Sequence, residues 1–164
     1  MNTDTLTALK ARYDQAGDNQ KPDVLFGSES LASGDLIEFL LPIARDESAY
    51  DLARIEAIKA AGLAGLKVPS HQATVVDALV SIALEDEDDD IQSYALQALA
   101  WYPHFPDIPS QIEPLLTPDT YIVVRDAALA AVLSQKTSDG AREVLMRLKD
   151  DPELGKHIRT ELGL

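Results

Sequence analysis

From Asp35 onward, apolar residues return every three or four positions, the spacing of one face of an α-helix. Leu36, Ile37, Leu40, Leu41, Ile43 and Ala44 make the first such face. The polar turn Arg45-Asp46-Glu47-Ser48 separates it from a second, with Leu52, Ile55, Ala57, Ile58 and Ala61, which is expected to end near Gly62 and Gly65, two glycines that also read as close packing. Ser48, with Asp51 three residues on, predicts a capping box at the start of that helix. After Pro69 the pattern returns. Val75, Val76, Leu79, Ile82, Ala83 and Leu84 lie on one helix, and Ile91, Ala95, Leu96, Ala98, Leu99 and Tyr102 on the next, stopped by Pro103. A third pair has a short helix over 112–116, a turn at Thr117-Pro118-Asp119, and a helix with Val124, Ala128, Leu129, Ala131 and Val132. A fourth runs from about Ser138 to Lys149, then from Pro152, a favourable first helical residue, to Leu162. Upstream, Leu6, Leu9 and Tyr13 mark a helix capped by Thr3-Asp4 and ended by Gly17. Residues 17–34 read as a polar connector pinned to the body by Val24-Leu25-Phe26. The chain therefore divides into a capping segment, 1–34, and a repeat domain, 35–164.

The second helices share a string. Ala53-Arg54-x-x-Ala57-Ile58 matches Ile91-Gln92-x-x-Ala95-Leu96 and Val124-Arg125-x-x-Ala128-Leu129, with Ile158-Arg159-x-x-Leu162 a fainter copy. Arg54, Gln92, Arg125 and Arg159 stand 38, 33 and 34 residues apart. A period in this range signals stacked helical hairpins, because one hairpin cannot bury its apolar face alone. The repeated alanine lets neighbouring helices approach closely. The string resembles that of the HEAT repeat family in its short bacterial form, over roughly 35–162, and most closely from Ile112-Glu113-Pro114-Leu115-Leu116 to Val124-Arg125-Asp126-Ala127-Ala128. The resemblance implies an all-α chain, a right-handed α-α superhelix (solenoid) of about four hairpins after an N-terminal helix. It also implies a ladder in which Arg54, Arg125 and Arg159 bond acids of neighbouring turns. Gln92 departs from that pattern.

Charge sharpens the functional reading. Lys and Arg total 14 against 28 Asp and Glu, a net charge of −14. Such a field repels nucleic-acid phosphates and anionic lipid headgroups and attracts a basic protein; it equally serves solubility. There is no cysteine, so disulfides and thiolate metal sites are excluded. No secretory leader or membrane span is read, and a cytoplasmic location is expected. His71, His104 and His157 fall in different units without ligand spacing, and no phosphate loop or nucleophile motif occurs. No cofactor, metal or catalytic residue is expected.

The run Glu85, Asp86, Glu87, Asp88, Asp89, Asp90 is the most unusual local feature. Capping accounts for one or two acids. The whole run reads as a solvated turn, a docking site for a basic partner or, least favoured for want of glycine and spaced ligands, a calcium site. Asp90, Tyr94, Gln97 and Trp101 share one face of the following helix. In a HEAT-like stack that face lines the groove beside Glu56, Lys59 and Leu63, and beside Ala127, Ala130 and Ser134. Tyr94 and Trp101 are then hot-spot anchors; the alternative is that Trp101 packs as core under residues 103–109. The expected function is a non-catalytic protein-binding module, an immunity protein or antitoxin holding a basic toxin, monomeric or weakly dimeric. An adaptor or assembly chaperone is the near alternative. Relatives of the HEAT-like class that attach bilins or act on alkylated DNA bases supply a different class, the latter opposed by the charge.

Overall fold

The computed structural model describes the backbone from Thr3 and side chains from Thr5 onward, so the expected Thr3-Asp4 cap lies outside the described residues. Every regular element among the described residues is helical. The described residues form ten α-helices: α1 (Thr3–Gln15), α2 (Lys21–Leu25), α3 (Gly34–Arg45), α4 (Asp51–Lys67), α5 (Gln72–Glu85), α6 (Asp89–Leu99), α7 (Ile108–Ile112), α8 (Ile122–Leu133), α9 (Asp139–Leu148) and α10 (Gly155–Leu162). They pack as sequence neighbours, α3 on α4, α5 on α6, α7 on α8 and α9 on α10. The pairs also pack on one another: α4 touches α6 and α6 touches α8, while α3 touches α5, α5 touches α7 and α7 touches α9. Among the described residues no helix is long and apolar enough to cross a membrane.

Local chemistry sets several starts. Ser33 Oγ accepts from the Leu36 amide at 3.1 Å, and Ser138 Oγ from that of Ala141 at 3.2 Å. Asp88 accepts from the amides of Asp90 and Ile91, both at 2.9 Å. Each bond satisfies an amide that the first helical turn leaves unpaired. The core is one cluster, in which Ala57, Ala95 and Ala128 are fully buried where second helices approach.

Four local expectations are corrected. Ser48 does not cap α4: its amide and hydroxyl both donate to Asp46 Oδ1, at 3.0 and 2.6 Å, and Tyr50 precedes the helix without a side-chain cap. Gly62 and Gly65 do not end α4, which continues to Lys67. They are helical positions stripped of Cβ for close neighbours. α10 starts at Gly155 and not at Pro152, because Asp151 Oδ1 holds the turn by accepting from the amides of Glu153 and Leu154. Residues 17–34 contain the short helix α2, with Pro22 in its first turn, and two 3-10 turns. Leu25 is fully buried and pins this segment, but Phe26 is 74% exposed and does not.

Candidate functional site

The repeated string places one polar side chain at the same point of each pair. Arg54 Nε donates to the Ala44 carbonyl at 3.2 Å, Gln92 Nε2 to that of Ala83 at 2.8 Å, Arg125 Nε to that of Leu116 at 3.0 Å and Arg159 Nη1 to that of Lys149 at 2.5 Å. Ala44, Ala83 and Lys149 lie at the end of the first helix of their pairs and Leu116 at the end of the 3-10 turn Glu113–Leu116 that follows α7, where carbonyls lack helical partners and a cation is favoured. Two arginines then reach the next pair. Arg54 Nη2 bonds Asp86 Oδ2, and Arg125 bonds Asp151 Oδ2 and, at 2.5 Å, Glu153 Oε2. Both guanidiniums are buried, as are the carboxylates of Asp86 and Asp151, so these ion pairs depend on their hydrogen bonds to repay desolvation. Burial pushes the Asp151 carboxyl up, but the Leu154 amide, Arg125 and the Glu153 amide outweigh it and hold it below the ordinary value.

Gln92 keeps the carbonyl bond and reaches no carboxylate. Thr117 stands eight residues before Arg125, as Asp46 stands before Arg54 and Asp151 before Arg159, and it carries no charge. The missing arginine and the missing acid thus depart together. Arg159, in the last pair, is exposed, with Asp150 Oδ1 at 3.9 Å.

The six acids divide by role. Asp86, with 6% of its side chain exposed, is committed to Arg54. Asp88 caps α6, and its own amide donates to Asp86 Oδ1 at 3.1 Å. Glu85 ends α5 and accepts from Ser81 Oγ at 3.1 Å. Glu85, Glu87, Asp89 and Asp90 are exposed. Four carboxylates therefore remain on the surface where the sequence suggested six.

Tyr94 and Trp101 are half-buried against the core and Gln97 is exposed. A Cβ on Gly62 would lie 2.9 Å from Trp101 Cζ3 and 3.2 Å from the Ala98 Cβ, so the indole covers the α4 backbone at that glycine. Glu56 and Lys59, half-buried on α4, form an ion pair at 2.7 Å. Ala127 is buried, Ala130 exposed and Ser134 half-buried. The structure therefore joins the α6 face to α4 through Trp101 and Gly62, with Glu56 already paired to Lys59.

Sequence reasoning missed two features. Gln135 is buried and donates through Nε2 to the Tyr102 carbonyl. No periodicity distinguishes such a glutamine from a surface one. Second, Tyr50 and Leu52 at the start of α4, and Tyr121, Ile122 and Val123 at the start of α8, are all exposed. Their register with Asp88 and Asp90 at the start of α6 was visible, since Tyr50, Asp88 and Tyr121 each stand four residues before the ladder position. Among the described residues no group of three or more histidines and carboxylates is placed to hold a metal. Comparison with protein-family models, with curated proteins and with solved structures finds no match to this chain.

Proposed function

We propose that this chain is a HEAT-like repeat protein, its four hairpins wound as a right-handed superhelix, that binds a basic protein. The form of this role we favour is an immunity protein or antitoxin that holds a cationic toxin, acting without cofactor in the cytoplasm. The observation that carries it is the juxtaposition on the second hairpin of exposed Glu85, Glu87, Asp89 and Asp90 with half-exposed Tyr94 and Trp101. Exposed like charges steer a cationic partner, and the aromatic rings supply area to bury once it arrives. The exposed Tyr50, Leu52, Tyr121, Ile122 and Val123 flank the acids in register and enlarge that area. In this reading the buried arginine pairs hold the hairpins, and Asp86 and Asp88 are spent on the fold.

The test is affinity capture from the native cell with three baits: the wild type, a variant with Glu85, Glu87, Asp89 and Asp90 changed to Gln or Asn, and a Tyr94→Ala/Trp101→Ala variant. One basic protein should be retained by the wild type, with association slowing as salt rises, and lost by both variants. If all three baits retain the same proteins to the same extent, this face is not the binding site.

A further inference from the structure

Three aspartates of this chain make the same turn. Asp86 Oδ1 accepts from the Asp88 amide at 3.1 Å, Asp151 Oδ1 from the Glu153 amide at 3.0 Å, and Asp46 Oδ1 from the Ser48 amide at 3.0 Å. In the first two, Oδ2 receives an arginine from the preceding helical pair, Arg54 or Arg125. The preceding segment of Asp46 is α1 and α2, and among its described residues no arginine bonds Asp46. Among the described residues no side chain bonds Asp46 Oδ2, and Asp46 is exposed where the carboxylates of Asp86 and Asp151 are buried.

A notch of about 360 Å³ opens at this place, lined by Tyr13, Asp18, Lys21, Asp46 and Ser48 among others. Lys21 is engaged by Asp18 at 3.0 Å, and its ammonium lies 5.2 Å from the centre of the Tyr13 ring. Asp18 and Lys21 balance, so Asp46 leaves the lining of the notch one net negative charge, which the field of the more distant Arg54, itself bonded to Asp86, offsets only in part. One guanidinium neutralises it.

We infer that Asp46 and its notch form a socket for an arginine side chain supplied by another polypeptide, the open first rung of the same ladder that Asp86 and Asp151 complete from within the chain. The filled copies define the chemistry. In both, the cation is a guanidinium that sets Nη2 on the carboxylate Oδ2, and its planar fork can offer a second nitrogen to a neighbouring acceptor, which the point charge of lysine does not reproduce. The socket deepens the reading of a basic protein partner, and it places one arginine of that partner at the N-terminal end of the repeats, beyond the face of α6.

The experiment uses the full chain and a small probe, so it does not require the partner. Amide resonances are followed by NMR during titration with N-acetyl-arginine methylamide, and separately with the lysine analogue. Saturable shifts at Ser48 and Ala49 that are at least several-fold weaker with lysine are expected. Asp46→Asn, which keeps the oxygen that accepts the Ser48 amide, should abolish them, and Glu47→Gln should not. Shifts that are equal for the two probes, that centre on Glu87, Asp89 and Asp90, or that survive Asp46→Asn overturn the socket. Failure to capture a basic protein on the α6 face would count against the proposed function and leave these shifts unaffected.

Discussion

The Tyr102 hydroxyl donates to the carbonyl of Gly62, 40 residues earlier, so a side chain from just after α6 closes on the backbone of α4. Tyr102 also accepts, through its own carbonyl, from Gln135 beyond α8. One buried residue therefore links three successive second helices. A Cβ at Gly65 would collide with that hydroxyl and sit 3.1 Å from Val75 Cγ2. Gly65→Ala removes a glycine that by helix propensity alone disfavours α4 by about 1 kcal/mol. Overpacking of this kind costs about 1–3 kcal/mol, and here the crowded hydroxyl is held by its bond to Gly62. Gly65→Ala is thus expected to lower the midpoint of chemical denaturation. A raised midpoint would mean that the ring shifts freely.

Burial pushes the Tyr102 hydroxyl from 10.0 up to about 12. A group with a raised pKa in the folded state contributes stability that is full below the unfolded value and lost as pH rises toward the folded one. The wild type should therefore lose stability between pH 10 and 12. Tyr102→Phe, which cannot ionise, should show a shallower decline over that window despite a lower starting stability. Parallel profiles for the two proteins would exclude Tyr102 as the source.

Removing one partner of a buried ion pair leaves the other charge uncompensated, at a cost of about 3–5 kcal/mol. Arg54→Ala strands Asp86 and also frees the Ala44 carbonyl. It should destabilise by about that amount. Changing the exposed Glu87 to Gln should stay within about 0.5 kcal/mol. Equilibrium denaturation of both variants measures the contrast, and equal losses would remove the distinction between ladder acid and surface acid within one run.

Much of the framework was legible because burial acts on period. Ile91, Ala95, Ala98, Leu99 and Tyr102 were grouped by spacing and are all buried. The glycines of α4 were legible in part, as close packing but not as helix interior. Gly62 and Gly65 resemble a helix end in any local reading, and only the arrival of Trp101 and Tyr102 from a later helix explains them. The acidic run was opaque. Asp86 and Glu87 are adjacent acids, and what separates a buried pair from a solvated carboxylate is the position of Arg54, 32 residues away. Phe26 failed for the opposite reason: an apolar neighbour of buried Leu25 was assigned its burial, although the chain turns at Gly27, whose φ is 76°, and leaves the ring outside.

The paired absence at Gln92 and Thr117 is open to reconstruction. Gln92 already donates to the Ala83 carbonyl, the bond that Arg54 and Arg125 make through Nε. An arginine there can keep it and extend a second nitrogen toward the turn at Thr117. Alone, Gln92→Arg adds a cation with no carboxylate in the ladder position, and Thr117→Asp adds an acid to a chain of net charge −14. Each single change should be neutral or destabilising. Together they restore the geometry of Arg54–Asp86 and Arg125–Asp151, so the double variant should exceed the sum of the singles by about 0.5–3 kcal/mol, the range for residues in direct contact. A double-mutant cycle by chemical denaturation reads this coupling. The same cycle on Arg54 and Asp86 sets the scale. A coupling of zero at the rebuilt rung, beside a clear coupling at the natural one, would mean that the shorter turn before Gln92 holds the second pair out of ladder register.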